Sequence, residues 1–155
     1  MNILVKPNRG QGGWGVEVLN AQSLTQWWKK GDHDYVAQPY RDDLREGRLF
    51  FIGPDFRRTL ERERGPGSVA ANFKQEGLAR PLTLTESYRD HLESLIHHSD
   101  ALYGAIDFLF DDSRLYTLEL NVVPGIEQLE MTTKENIAKV LAAKFLSHKI
   151  KVSKI

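Results

Sequence analysis

The sequence predicts an α+β protein in which short antiparallel strands are combined with three helices. Strand-like apolar runs occur in neighbouring pairs separated by turn-forming residues, and the stretches 84–97 and 132–148 place apolar residues at helical spacing. The order of these elements divides the chain into a small ββαβ unit over residues 1–41 and a larger unit of antiparallel strands and helices over 42–155. At 155 residues the chain is long enough for one domain, or two small subdomains, with an apolar core.

The small unit is predicted from three β-prone runs and one short helical stretch. Residues 8–15 hold four glycines, so the first two strands are expected to form a hairpin with a long glycine-rich tip. The helix is expected to begin at Ser23, whose side chain suits an N-cap, and to stop at Gly31. The predicted strands are 2–7, 16–19 and 35–40, and the predicted helix is 23–30.

The larger unit is predicted to contain two hairpins, a long loop and two helices. Residues 53–55 form the turn of the first hairpin. Residues 61–81 are charged, contain glycine and are weakly periodic, so they are expected to form a loop. Thr83 followed by Glu86 is a candidate capping box at the start of the first helix. The predicted strands are 48–52, 56–60, 105–110 and 115–121, and the predicted helices are 84–97 and 132–148.

The second hairpin, over 105–121, is predicted to have one apolar face and one face with acidic side chains. Residues 111–114 supply its turn chemistry. Side chains alternate along a strand, and a register near the middle of that turn sets Asp107 opposite Glu119 to within one residue. The apolar face holds Ile106, Phe108, Phe110, Leu118 and Leu120, and the other face holds Asp107, Leu109, Thr117, Glu119 and Asn121.

Two carboxylates directly across a strand pair repel each other, so a cation is expected between Asp107 and Glu119. Together with Asn121 they offer oxygen ligands only, which suits a hard ion such as Mg²⁺ with substrate phosphates completing its coordination. A neighbouring arginine would neutralise the two acids without any metal. The hairpin alone favours the arginine, because short motifs give many false positives, and both interpretations are open at this point.

Composition excludes several functional classes. Lys plus Arg and Asp plus Glu number 21 each, so no net charge points to nucleic acid as a partner. The chain has no cysteine, which excludes disulfides, thiolate metal sites and a cysteine nucleophile. No apolar run approaches the roughly 18 residues of a membrane span, and the N-terminus is unlike a secretory signal. A cytoplasmic protein without nucleic-acid or membrane partners is therefore expected.

Several motifs occur in the order seen in ATP-grasp enzymes. They are Lys6-Pro7 with the glycine-rich hairpin, the run 36–40, Ile106-Asp107, and the run 119–125, which reads E-L-N-V-V-P-G. Within that superfamily the chain resembles the RimK-type carboxylate–amine ligases, relatives of glutathione synthetase, and the segment 124–138 is similar to that branch in particular. The resemblance covers nearly the whole chain. Its most specific part is the acidic hairpin that ends in E-x-N-x-x-P-G.

The resemblance implies an ATP-grasp fold that binds ATP and Mg²⁺ between its two subdomains. The small unit would be a lid whose glycine-rich loop closes over the β- and γ-phosphates. The carbonyl of Gln38 and the N–H of Tyr40 would form the adenine hinge, and Asp42 or Asp43 would meet the ribose hydroxyls. The implied nucleotide contacts are Lys6, Gly10, Gly12, Gly13, Gln38, Tyr40, Asp43 and Asn72.

The resemblance also implies which charged residues take part in the reaction. Asp107, Glu119 and Asn121 would hold two Mg²⁺ ions, or Mn²⁺ in their place, with Glu119 bridging them. Arg48 lies in a run similar to the family's strand with a substrate-facing arginine, and Arg62 would face the transferring phosphoryl group. Phosphoryl transfer depends on positioning and charge neutralisation rather than on a side-chain nucleophile, which agrees with the lack of cysteine.

The implied activity is that of an ATP-dependent carboxylate–amine ligase, an enzyme that forms C–N bonds through an acylphosphate intermediate. ATP-grasp ligases carry a domain of roughly a hundred residues before the lid. Here the lid begins at residue 2 or 3, so the chain is expected to be a fragment, to obtain the missing surface from a companion chain or homo-oligomer, or to be a reduced binder. The alternative function is a truncated, non-catalytic ATP- or ADP-binding module.

Overall fold

The computed structural model describes residues 2–9, 14–28, 34–63 and 78–152, with the backbone alone for 148–152. Its helices and antiparallel sheets confirm the α+β prediction. By its internal contacts the chain divides into two compact units, Met1–Leu44 with Glu63–Leu78, and Arg45–Arg62 with Ala79–Ile155. Of the described helices, none is both long and apolar enough to cross a membrane.

Each predicted strand has an observed counterpart, with ends that differ by up to three residues. In chain order the elements are β1 Ile3–Pro7, β2 Glu17–Leu19, α1 Ala21–Trp28, β3 Tyr35–Pro39, β4 Arg45–Ile52, β5 Phe56–Arg62, β6 Ala79–Pro81, α2 Glu86–Ser99, β7 Tyr103–Phe110, β8 Leu115–Asn121, α3 Glu127–Thr133 and α4 Ile137–Val152.

The first unit contains a three-stranded antiparallel sheet with β1 between β2 and β3. Val5 of the central strand is fully buried. Helix α1 begins at Ala21, because the side-chain oxygen of Asn20 accepts the N–H of Ser23 at 2.8 Å. The N-cap is therefore Asn20, and the prediction that Ser23 caps the helix is wrong. Gly31, the predicted stop, lies outside the described residues.

The second unit is built on a five-stranded antiparallel sheet in the order β6-β5-β4-β7-β8. Helix α2 packs on one face of it, which we call the α2-covered face. Buried side chains alternate with those of the other face along β4 and β7. On the α2-covered face they are Leu49, Phe51, Ile106, Phe108 and Phe110, packed against Leu84, Leu92 and Ile96. The predicted apolar face of Ile106, Phe108 and Phe110 is confirmed.

Two glycines let aromatic rings of the α2-covered face lie directly over neighbouring strands. A Cβ on Gly47 would stand 2.3 Å from Cζ of Phe108, its partner across the β4–β7 pair. A Cβ on Gly104 would stand 2.6 Å from Cζ of Phe51, again its partner. Any other residue type would place its Cβ within 3 Å of a ring carbon, so the rings lie where they do because both positions are glycine.

The opposite face, which we call the charged face, is apolar at one end and charged at the other. At the apolar end Phe50, Ile52 and Ala105 pack with Leu129 of α3 and Ile137 of α4. Toward the other end of the same strands the register brings charged and polar side chains together. They are Glu46, Arg48, Arg62, Asp107, Glu119 and Asn121.

The predicted helix 132–148 is observed as two helices. Lys134 adopts a left-handed conformation with φ of 61° and ends α3, and the side chain of Asn136 accepts an N–H of the first turn of α4 at 2.8 Å. The first helix of the larger unit is capped by Thr85, whose side chain accepts an N–H of its first turn, so the predicted cap at Thr83 is wrong.

The predicted loop 61–81 is shorter at both ends than expected. Strand β5 continues through Arg62, and Ala79–Pro81 forms β6, which pairs with β5. The N–H of Glu63 donates to the carbonyl of Leu78 at 2.8 Å just beyond this pair. Residues 64–77 lie outside the described residues.

Candidate active site

The hairpin of β7 and β8 brings the two predicted acids opposite each other, since Asp107 pairs with Glu119. Its turn is closed by Asp111, whose side chain accepts the backbone N–H groups of Ser113 and Arg114 at 2.7 and 2.8 Å. The hydrogen bonds from Ser113 lower the pKa of the Asp111 carboxyl. The turn predicted from the sequence sets Phe110 opposite Leu115, and a register shift between Asp107 and Phe108 then brings Glu119 opposite Asp107.

A bulge changes which residues of β8 share the acidic side. Asp107 pairs with Glu119. The next residue, Phe108, pairs with Thr117, so Leu118 has no partner across the ladder. Thr117 consequently lies on the α2-covered face, where its hydroxyl is 3.4 Å from a ring nitrogen of α2. The prediction that Thr117 shares a face with Glu119 is wrong, because the extra residue shifts the alternation by one.

Asn121 joins the two acids. Its Nδ2 donates to Oδ2 of Asp107 at 3.1 Å and to Oε1 of Glu119 at 3.0 Å. The three side chains predicted as metal ligands therefore converge on one side of the hairpin. They lie at the charged end of the charged face.

Arg48 and Arg62 lie on the same face and approach Asp107. Arg48 is opposite Asp107 across the β4–β7 pair and donates two parallel hydrogen bonds to its carboxylate, each of 2.5 Å. Nη1 of Arg62 is 3.2 Å from Oε1 of Glu46 and 3.6 Å from Oδ1 of Asp107. The arginine considered as an alternative to a metal is thus present, at Asp107.

The two arginines differ in how completely their charge is compensated. Burial by itself would lower the pKa of Arg48, but the hydrogen bond and the attraction of Asp107 outweigh it and raise that pKa. Burial, with the nearby charge of Arg48, lowers the pKa of Arg62, whose side chain is only 5% exposed. Both remain protonated at neutral pH. Arg62 is the less compensated cation of the two.

The five charged side chains that the structure brings together in this cluster have a negative formal charge in sum. Three carboxylates stand against two guanidinium groups, which is a net formal charge of −1 at neutral pH. The five side chains are Glu46, Asp107, Glu119, Arg48 and Arg62.

The donor set fits a hard divalent cation. Among the described residues, no group of three or more Asp, Glu, His or Cys side chains is arranged to hold a metal. A metal here would be bound by Asp107, Glu119 and the amide oxygen of Asn121, with waters and ligand phosphates completing the coordination. In the structure Asn121 directs its Nδ2 to both acids. A cation between the acids would require the amide to turn so that its oxygen faces the cation.

Sequence analysis misses two residues of this cluster, Glu46 and Gln128. Glu46 is missed because the predicted strand begins at Arg48, whereas β4 begins at Arg45. Strand alternation would have found it, because residues two apart share a face. Gln128 lies on α3, a helix that was not predicted, and its Oε1 accepts the Nε–H of Arg62 at 3.1 Å. No pattern in the single sequence distinguishes it.

The segment after Asn121 is anchored by hydrogen bonds rather than by further site contacts. The hydroxyl of Tyr103 donates to the carbonyl of Pro124 at 2.6 Å, and burial raises the pKa of Tyr103 to about 12. Oε1 of Glu130 accepts the first two N–H groups of α4 at 2.8 and 3.2 Å. Pro124 and Glu130, both in the segment 124–138, therefore stabilise the connection between β8 and α4.

The predicted adenine hinge is built differently from the expectation. The N–H of Tyr40 donates to the carbonyl of Asn2 at 2.9 Å. Because hydrogen-bonded pairs alternate along an antiparallel ladder, Gln38 opposite Leu4 also directs its carbonyl to β1. These two groups are thus used within the sheet and are not presented to a ligand as predicted.

The other predicted nucleotide contacts are partly described. Lys6 is a half-buried residue of β1, and Asp43 forms a bidentate ion pair with Arg41 at 2.6 and 2.7 Å. Four further predicted contacts lie outside the described residues. They are Gly10, Gly12, Gly13 and Asn72.

The sequence matches a known family along most of its length. The model of the RimK-like ATP-grasp domain matches residues 2–145. A "Probable alpha-L-glutamate ligase" of Coxiella burnetii is 31% identical over 148 residues, which cover 90% of this chain and 48% of that relative. The chain thus spans about half the length of the curated relatives it matches.

Solved ATP-grasp ligases share the fold. The ligase PsnB, complexed with a phosphomimetic variant of its minimal precursor, Mg and ADP, has a TM-score of 0.71 at 14% identity, over 96% of this chain and 46% of PsnB. The D-alanine–D-alanine ligase of Bacillus anthracis has a TM-score of 0.68 at 16% identity, over 99% of this chain and 56% of that enzyme. With the family match over residues 2–145, the chain belongs to the RimK-like ATP-grasp domain family.

Proposed function

We propose that this chain is the catalytic part of an ATP-dependent carboxylate–amine ligase that works through an acylphosphate. The observation that carries the proposal is the cluster at the charged end of the charged face. There Asp107, Glu119 and Asn121 converge, and Arg48 and Arg62 approach the same carboxylate. Membership of the RimK-like family and the ligase names of the relatives support it.

The proposed reaction has two steps. A carboxylate oxygen of the first substrate attacks the γ-phosphorus of ATP, the bond to the β–γ bridging oxygen breaks, and ADP leaves. The amine of the second substrate then attacks the acyl carbon, the bond from that carbon to the phosphate oxygen breaks, and inorganic phosphate leaves as the amine loses a proton. Both steps need anions held together and their charge offset, which the cationic side chains of the cluster can supply.

Arg62 is the better candidate for contact with the transferred phosphoryl group. Its charge is shared over longer contacts, of 3.2 Å to Glu46 and 3.6 Å to Asp107. Arg48 donates two hydrogen bonds of 2.5 Å to Asp107, so its substrate-facing role would require the guanidinium to leave that carboxylate. In the ground state Arg48 orients Asp107.

Asp107, Glu119 and Asn121 are the proposed ligands of Mg²⁺, or of Mn²⁺ in its place. When bound, such an ion offsets the negative charge of the phosphates. The capture of PsnB with Mg and ADP supports this choice of cation and nucleotide. Lys6, Gly10, Gly12, Gly13, Asp43 and Asn72 remain the proposed nucleotide contacts.

The substrate class follows from the names of the relatives. Several carry the name "Probable alpha-L-glutamate ligase", so glutamate is the first amine to test, with a peptide that ends in a free carboxylate as its acceptor. Any amine that carries its own carboxylate would need a cationic partner, which is a further reason to examine the arginines of the cluster.

The proposal is tested by ADP release from the purified chain with ATP, Mg²⁺, glutamate and the peptide, and by trapping the intermediate with hydroxylamine. We expect Mg²⁺-dependent ADP release and formation of a hydroxamate from the acylphosphate. Arg62→Met is expected to lower the rate roughly 10²- to 10³-fold, by analogy with removal of one charge-stabilising donor.

Arg89→Met is the matched control, because Arg89 is exposed on α2, which packs on the other face of the sheet. It is expected to keep the wild-type rate. Nucleotide binding without ADP release or hydroxamate would overturn the ligase proposal for this chain and favour the non-catalytic ATP- or ADP-binding module.

A further inference from the structure

Gln128 is a buried amide on α3 that contacts Arg62. The residue is 7% exposed, and its Oε1 accepts a hydrogen bond from Nε of Arg62 at 3.1 Å. The orientation of the amide follows from its partner, because a guanidinium group has only donors to offer.

The nitrogen of the same amide is unsatisfied. Nε2 of Gln128 is buried, and of the residues that the structure describes none accepts a hydrogen bond from it. A buried amide nitrogen without an acceptor is unfavourable, so an apolar side chain of similar size would serve packing better. What the amide provides here is its contact with Arg62.

That contact fixes the plane of the Arg62 guanidinium. Nε is held by Gln128, and Nη1 is directed to Glu46 at 3.2 Å and to Asp107 at 3.6 Å. The flat group can turn only by breaking one of these contacts. An amide oxygen also holds the guanidinium without neutralising it, whereas a carboxylate at the same place would cancel its charge.

We propose that Gln128 is a positioning residue, which orients Arg62 so that its charge and its remaining N–H donors serve the transferred phosphoryl group. Nη2 of Arg62 has no hydrogen-bond acceptor within the described part of the chain, which leaves it for such a ligand. The inference rests on the proposed function, because it takes Arg62 to be the residue that binds the phosphoryl group.

A double-mutant cycle tests the inference through binding rather than turnover. The affinities for AMPPNP (a non-hydrolysable ATP analogue) and for AMP are measured with Mg²⁺ for the wild-type chain, Gln128→Leu, Arg62→Met and the double variant. We expect Gln128→Leu to weaken AMPPNP binding roughly 10-fold when Arg62 is present and less than about 2-fold when it is absent. AMP, which has no γ-phosphate, is expected to bind all four proteins alike.

Two further variants guard against an effect on folding. Gln128→Met, which is unbranched and close in length, is expected to match Gln128→Leu. Thr133→Val removes another side-chain hydrogen bond of α3, to the carbonyl of Leu129 at 2.8 Å, and is expected to leave both affinities unchanged.

The possible outcomes distinguish a failure of the positioning role of Gln128 from a failure of the proposed function of Arg62. Equal losses of AMPPNP affinity with and without Arg62, or a parallel loss of AMP affinity, would overturn the positioning role of Gln128. An unchanged AMPPNP affinity in Arg62→Met would instead remove Arg62 from the proposed function, and the inference with it.

Discussion

The two faces of the five-stranded sheet are formed by the same strands but buried by different means. On the α2-covered face the buried side chains are apolar, and rings such as Phe51 and Phe108 are shielded by α2. At the charged end of the other face Asp107 and Arg62 are almost as deeply buried, with side chains 7% and 5% exposed. They tolerate burial because each has charged partners within about 4 Å.

This difference decides how each face should respond to mutation. In an apolar core the free energy of unfolding falls with the side-chain volume that a substitution removes. It also falls when extra volume is forced into the packed core. A buried ion that loses its partner is left uncompensated, whereas removal of both partners can be nearly neutral. The α2-covered face should therefore be sensitive to volume, and the charged face to unbalanced charge.

The largest effect on stability is expected from Asp107→Leu. It leaves the Arg48 guanidinium, which is 17% exposed, without the carboxylate that accepts its two hydrogen bonds. The free energy of unfolding in urea should fall by about 3–5 kcal/mol.

The double variant Arg48→Met/Asp107→Leu tests whether unbalanced charge causes this loss, because it replaces both charges with apolar side chains. It should recover most of the stability lost in Asp107→Leu, with an unchanged dependence on urea concentration. A double variant no more stable than the single one would mean that the pair is not the source of the effect.

A smaller effect is expected from Gly47→Ala on the α2-covered face. The new Cβ would lie 2.3 Å from Cζ of Phe108, so the ring must shift within a packed core. Overpacking of this kind should lower the free energy of unfolding by about 1–3 kcal/mol.

Gly125→Ala is the control for Gly47→Ala, because its Cβ would meet only the flexible end of Glu127, at 2.8 Å. Its stability should stay within about 0.5 kcal/mol of the wild type. Replacing the ring by a smaller side chain, in the double variant Gly47→Ala/Phe108→Leu, should restore part of the stability lost in Gly47→Ala. Equal stabilities of the two alanine variants would contradict the close packing of Phe108 on β4.

The acidic hairpin could be predicted from the sequence because its determinants are local. Alternation along the strands and the turn at Asp111 predict the hairpin and its register to within one residue, because a regular ladder from the observed Phe110–Leu115 pair would set Asp107 opposite Leu118. The bulge at Leu118 could not be predicted, because nothing in the residue order of β8 marks the one that loses its partner. The bulge sets Glu119, rather than Leu118, opposite Asp107 and leaves Thr117 on the other face.

The rest of the cluster depends on pairing between distant strands and on helix ends. Arg62 stands opposite Glu46 only because β4 and β5 are each longer than their apolar cores suggest. Gln128, which contacts Arg62, lies on α3, a separate helix that ends at Lys134, a residue type that rarely adopts a positive φ. A periodic pattern cannot signal such an end.

The smallest effect on stability, and the most direct test of the site, is expected from Glu119→Gln. Glu119 is exposed, so the variant should unfold within about 0.5 kcal/mol of the wild type. Glu86→Gln, an identical change in the first turn of α2, is the control.

Calorimetric titration of ATP into each protein, with Mg²⁺ and with a chelator, measures the part of the affinity that depends on the metal. If Asp107, Glu119 and Asn121 hold the cation that binds the nucleotide, Glu119→Gln should lose that part, roughly 10- to 100-fold, while Glu86→Gln keeps it. An equal Mg²⁺ dependence in Glu119→Gln and the wild type would contradict the assignment of the acidic hairpin as the metal site.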